Sequence, residues 1–146
     1  MIAVDTSVLL RYLLHDDEVQ AARADAVFDT AETVLVTDVV LVETVWTLSG
    51  RKYRLTRPDL VAVLERLFSE PNFRFEDDRV VWRALQSYRG AASAQEGEAG
   101  LASGAGFADT LIVYKALKTA SEAREALNSV YTFDAAMQRL PHAAPP

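Results

Sequence analysis

One junction recurs along this chain and limits the folds open to it. A short apolar, β-favouring run stops abruptly at acid or hydroxyl residues, and a helix-length segment follows. Ile2-Ala3-Val4 gives way to Asp5-Thr6-Ser7 and then to Val8-Leu9-Leu10-Arg11-Tyr12-Leu13-Leu14. Val34-Leu35-Val36-Thr37 gives way to Asp38 and an apolar segment ending near Leu48. Strands separated by helices imply a parallel sheet covered on both faces. The reading is therefore an α/β fold of three layers, α/β/α, with a central parallel sheet of about four strands. Strands are expected at 2–5, 34–37, 73–75 and 129–132. Helices are expected at 7–14, 17–31, 38–49, 57–69, 77–89, 107–119 and 121–127.

Four carboxylates sit at points where such a fold aims side chains at one place. In open parallel sheets ligands bind just outside the carboxyl ends of strands, which is where Asp5 falls. Glu43 has Val39, Val40, Trp46 and Thr47 at helical spacing, so it is expected on a mostly buried face. A carboxylate there costs several kcal/mol unless a cation compensates, and a buried salt bridge to an Arg is the competing reading. Asp109 opens a helix after a glycine-rich segment, and Asp134 follows the last clear strand, Ser129-Val130-Tyr131-Thr132-Phe133. Taken singly, Asp5, Asp109 and Asp134 also read as helix caps or dipole partners. Capping gives no reason for four acids to line one crevice, and together they predict a divalent-metal site.

The segments Val4-Asp5-Thr6-Ser7-Val8-Leu9, Val42-Glu43, Phe107-Ala108-Asp109-Thr110-Leu111-Ile112 and Tyr131-Thr132-Phe133-Asp134, in this order, resemble those of PIN-domain ribonucleases. The likeness is to the VapC-type toxins of toxin–antitoxin pairs and covers nearly the whole chain. It implies a PIN-like fold in which Asp5, Glu43, Asp109 and Asp134 are catalytic and hold Mg²⁺ or Mn²⁺, as one or two ions. It also implies that the hydroxyls of Thr6 and Thr132 support those ligands. The partners it implies are an RNA substrate, a cognate antitoxin whose tail can place an Arg among the acids, and a second copy in a homodimer. Oxygen-only donors suit Mg²⁺, a hard cation that usually needs one or two direct carboxylates, and a metal-assisted hydrolysis of phosphodiesters needs no nucleophilic side chain. Two other classes are a PIN-like scaffold that binds RNA or protein without cutting and an aspartyl phosphotransfer domain. The second lacks an adjacent acidic pair near the first strand.

A formal charge of −6 runs against phosphate recognition, which is largely electrostatic. Bound divalent ions would offset much of the charge on the four acids. Basic residues also cluster at Arg51, Lys52, Arg54 and Arg57, a segment expected either to contact RNA backbone or to form an ordinary solvated turn. Trp46 and Trp82 lie among apolar neighbours at helical spacing and are expected in the core. Asp16-Asp17-Glu18 reads as the solvated start of a helix.

With 146 residues, half of them hydrophobic, the chain has the size of a single domain, 1–146. The absence of Cys excludes disulfides and thiolate zinc sites. No leader pattern or membrane-length apolar stretch is present, so a cytoplasmic protein with no membrane partner is expected. Five of the six glycines fall between Gly90 and Gly106, which predicts a flexible loop over 90–106. The prolines of the tail, 140–146, predict an irregular end without a strand.

Overall fold

A computed structural model describes residues 1–93 and 104–146, with only the helical backbone at 91–93. The loop expected over 90–106 therefore lies largely outside the described residues. Those residues form two compact units, Met1–Asp78 and Arg79–Pro146. Helices alternate with parallel strands throughout, as the α/β reading requires.

In the first unit the order is β1 (Ile2–Ala3), α1 (Thr6–Leu14), α2 (Glu18–Thr30), β2 (Val34–Val36), α3 (Asp38–Ser49), α4 (Arg57–Ser69) and β3 (Phe73–Phe75). All pairing is parallel in the order β1-β2-β3, with Ile2 opposite Val34, and Val34 and Val36 opposite Phe73 and Phe75. The central strand, β2, is the most apolar, and Val34 and Val36 are fully buried. Leu9, Leu41, Leu48, Leu64 and Leu67 complete the interior, each worth roughly 1.5–3 kcal/mol of burial. Tyr12, Phe28 and Phe73 form an aromatic cluster with centroids 4.4 to 6.0 Å apart. Asn72 closes the end of α2 by donating to the carbonyls of Phe28 and Ala31.

Most helix starts follow from capping chemistry. Asp5, Asp17 and Thr37 accept from the backbone N–H of Val8, Gln20 and Val40, and Asp59 accepts from the N–H of Thr56 at 2.8 Å. The expected strand 2–5 ends at Ala3 because Asp5 is already the cap of α1.

The second unit comprises α5 (Asp78–Ser93), α6 (Phe107–Ala123), β4 (Val130–Tyr131), a 3-10 turn at Met137–Arg139 and β5 (Ala143–Ala144). Ala105, Val113, Met137 and Leu140 make a small buried cluster. Three expectations are corrected here. The helix expected over 77–89 runs on to Ser93. The helices expected at 107–119 and 121–127 are one helix ending at Ala123, because no Gly or Pro interrupts it; Arg124 stops it in a left-handed conformation, φ 58°. The tail carries a strand after all: β5 pairs in parallel with β4, Val130 against Ala143 and Tyr131 against Ala144. Pro141, Pro145 and Pro146 flank the two paired alanines and leave their N–H groups intact.

No helix among the described residues is long and apolar enough to cross a membrane.

Candidate functional site

Asp5 occupies the N-cap of α1 in an extended conformation, φ −91° and ψ 173°. Its Oδ1 accepts from the Val8 N–H at 3.0 Å and from the Ser7 hydroxyl at 2.8 Å. Those two donors, Val8 first and Ser7 second, hold the carboxyl below its ordinary value of 3.8, since hydrogen bonds to the charged form favour it. The side chain is exposed, and both bonds fall on one oxygen.

Glu43 is exposed as well, which corrects the expected burial. The buried face of α3 is Val40, Leu41, Thr44, Val45 and Leu48, so Val39, Glu43, Trp46 and Thr47 look outward. A helix apolar on nearly every side gives periodicity no face to choose, and packing against the sheet chose the other one. The acid that is buried is Asp38, 7 % exposed, at the start of the same helix. Its N–H donates to Glu76 Oε1 at 3.1 Å. The sequence offered no signal for it beyond its place after β2.

One contact ties α1 to α3 at the acids. The Thr6 hydroxyl donates to Glu43 Oε2 at 2.5 Å. Thr6 adjoins Asp5 in the chain, so a single hydroxyl couples the position of Glu43 to the capped start of α1.

In the second unit the acids are held locally. Asp109 Oδ2 accepts from the Gly106 N–H at 2.7 Å, which secures the first turn of α6. Asp134 Oδ1 accepts from the N–H groups of Ala136 and Met137 at 2.7 and 2.9 Å. Thr132 serves the same turn: its hydroxyl accepts from the Asp134 N–H at 3.0 Å, and its carbonyl from Gln138 at 2.8 Å. It makes no bond to the Asp134 carboxylate.

The capping interpretation and the ligand interpretation are therefore compatible at Asp5, Asp109 and Asp134. Asp5, Glu43, Asp109 and Asp134 each commit one carboxylate oxygen to a neighbour, and among the described residues the second oxygen has no hydrogen bond. An oxygen donor oriented through its partner oxygen is chemically suited to a hard divalent cation. Among the described residues no three His, Asp or Glu side chains gather into a group able to hold a metal; Asp5 and Glu43 are linked through Thr6, and no hydrogen bond links Asp109 with Asp134.

Of the basic residues, Arg51, Lys52 and Arg54 are exposed and Arg57 is half-buried. Lys52 Nζ lies 3.7 Å from Asp16 and 4.8 Å above the Tyr53 ring, while Arg54 donates to the Arg51 carbonyl at 3.1 Å. Asp16 is more than a solvated cap, since it also takes Arg11 at 2.5 Å and the Tyr53 hydroxyl at 3.1 Å. The tryptophans expected in the core are not there: Trp46 is 79 % exposed and Trp82 44 %.

A parallel α/β chain with acids at the starts of its helices defines a class, and a family model agrees with it. The PIN domain model matches residues 2–143, so the chain belongs to the PIN domain family. No curated protein matches the chain. A solved structure that aligns with it is that of the Mycobacterium tuberculosis toxin VapC20, described as cleaving the sarcin-ricin loop. The two are 17 % identical over 98 % of this chain and 97 % of that one, with a TM-score of 0.39.

Proposed function

We propose that this protein is a metal-dependent endoribonuclease of the VapC type, the toxin of a toxin–antitoxin pair, built as one PIN domain. The observation that carries the reading is the set of acids in family order, each holding one oxygen in a hydrogen bond, local at Asp5, Asp109 and Asp134 and from Thr6 at Glu43. Asp5, Glu43 and Asp109 would hold Mg²⁺ or Mn²⁺, with Asp134 as the fourth carboxylate. A divalent ion there supplies Lewis acidity at phosphorus and makes water a better nucleophile. The chain's own contribution is orientation. The Val8 N–H and the Ser7 hydroxyl orient Asp5, and the Thr6 hydroxyl orients Glu43. The Gly106 N–H fixes Asp109, and the turn at Ala136 and Met137 fixes Asp134. Thr132 acts on that turn rather than on the ligands.

RNA backbone is taken up by Arg51, Lys52 and Arg54, with Lys52 shared with Asp16. An antitoxin bearing an Arg would compete with the ion for the same oxygens, since guanidinium matches carboxylate geometry. A homodimer and a cytoplasmic location complete the reading.

The deciding experiment is cleavage of a mixed RNA pool by purified protein in Mg²⁺, Mn²⁺ or EDTA, beside Asp5→Asn and Asp109→Asn prepared identically. Metal-dependent cutting that both variants lose is the expected result. Equal cutting by wild type and variants would reveal a contaminant, and RNA binding without cutting would make the protein a non-cleaving scaffold.

A further inference from the structure

We infer that the outward face of α5 is a further binding site for the phosphate backbone of RNA, carried by residues other than the candidate acids and the basic turn after α3; the inference rests on the ribonuclease reading above. Past Asp78 this helix carries Arg79, Arg83 and Arg89 and, as far as Ser93, no Asp or Glu. In a chain with 21 acidic against 15 basic residues, the helix reverses the overall balance. Val80, Val81, Ala84, Leu85 and Tyr88 are buried, whereas Arg79, Trp82, Arg83 and Arg89 are exposed. At helical spacing the exposed four share one side, and Arg79 and Arg89 are about 15 Å apart along the axis.

These charges do not serve the helix itself. Arg79 stands in the first turn, where the helix dipole disfavours a cation, and Arg83 is its i+4 neighbour of the same sign. Among the described residues neither makes an ion pair. A bound anion would relieve both the repulsion and the dipole. Guanidinium forks match phosphate geometry, and two forks about 6 Å apart along the axis suit a backbone that repeats its charge. Trp82, 44 % exposed, is beside Arg83 in the chain and three residues after Arg79, so it adds a flat apolar surface to the cations. Contacts of this kind read charge and not sequence. The face therefore adds affinity for RNA without choosing the bond to be cut.

The test is fluorescence anisotropy of a labelled RNA hairpin with full-length protein carrying Asp5→Asn, in EDTA so that nothing is cut, at several salt concentrations. Arg79→Gln with Arg83→Gln is expected to weaken binding roughly tenfold or more and to make the salt slope shallower by about two. Arg79→Lys with Arg83→Lys should keep the slope and recover much of the affinity, and Trp82→Ala should weaken binding less and leave the slope unchanged. Arg23→Gln with Arg124→Gln removes the same charge from other exposed positions and should cost far less. An equal loss there would reduce the effect to net charge and overturn the inference. Unchanged affinity and slope in Arg79→Gln with Arg83→Gln overturns it too, and leaves the ribonuclease reading standing. So does a loss of polyglutamate binding with RNA affinity intact, which would assign the face to an acidic protein segment. If the Asp5→Asn protein binds no RNA at all, the inference and the ribonuclease reading fall together.

Discussion

The first unit holds one of its acids by a means not seen for Asp109 and Asp134 in the second. In the first, Glu43 is fixed by Thr6, a partner 37 residues away on another helix. In the second, Asp109 and Asp134 bond only within their own turns, to Gly106 and to Ala136 and Met137. Long-range fixation makes a side chain's position a property of packing, while local fixation makes it a property of the turn. The first kind is sensitive to a single distant hydroxyl; the second survives as long as its turn does.

The largest expected effect falls in the first unit. Asp5→Asn and Glu43→Gln should each lower RNA cleavage more than a hundredfold, beyond the loss typical of a residue that merely supports a ligand. Asp134→Asn, which keeps its cap, should cost about tenfold. Equal losses in all three under single-turnover conditions would erase the distinction. Next, Thr6→Val should lower cleavage roughly tenfold or more, because Glu43 loses its only hydrogen bond among the described residues. Thr132→Val should change cleavage much less, since its hydroxyl serves the backbone. A larger loss in Thr132→Val would place a catalytic duty on that hydroxyl.

Stability offers finer comparisons. Thr44 and Thr110 are both fully buried, one in each unit. Thr110 donates to the Phe107 carbonyl at 2.7 Å, whereas the Thr44 hydroxyl has no hydrogen-bond partner among the described residues. Thr44→Val should therefore stabilise by about 1 kcal/mol and Thr110→Val should not, as chemical denaturation can read. Asp5→Ala should cost about 1 kcal/mol as a lost cap, with Asn restoring most of it.

The smallest effect is in acid. The folded pKa of Asp5 lies below its unfolded value near 3.8, so the stability it contributes is complete above about pH 4 and is lost as pH falls through the lowered folded value. Asp16, held down by Arg11, and Asp59, held down by the Thr56 hydroxyl, add to the same window. Acid titration of the Asp5→Asn variant should show a shallower loss below pH 4.

Local chemistry was readable in advance wherever one turn decides the outcome. Asp5, Asp17 and Thr56 mark helix starts because their side chains or those three residues on meet backbone N–H groups in sequence order. The segments 57–69 and 73–75 matched for the same reason, with Pro58 at a helix start and alternating Phe73 and Phe75 pointing inward. The four acids were singled out by their order along the chain, and the PIN domain model matches residues 2–143.

By itself, then, the sequence determined the alternation of strand and helix, the α/β class and the caps. All of these depend on contacts within a few residues or on patterns carried along one segment. Tertiary structure alone decided which side of α3 is buried, and so placed Glu43 and Trp46 outside and Asp38 inside. It also paired the tail with β4 and joined Thr6 to Glu43. An evenly apolar helix has no preferred face until a sheet packs against it, and a two-residue strand has no reason to exist until a partner offers it hydrogen bonds.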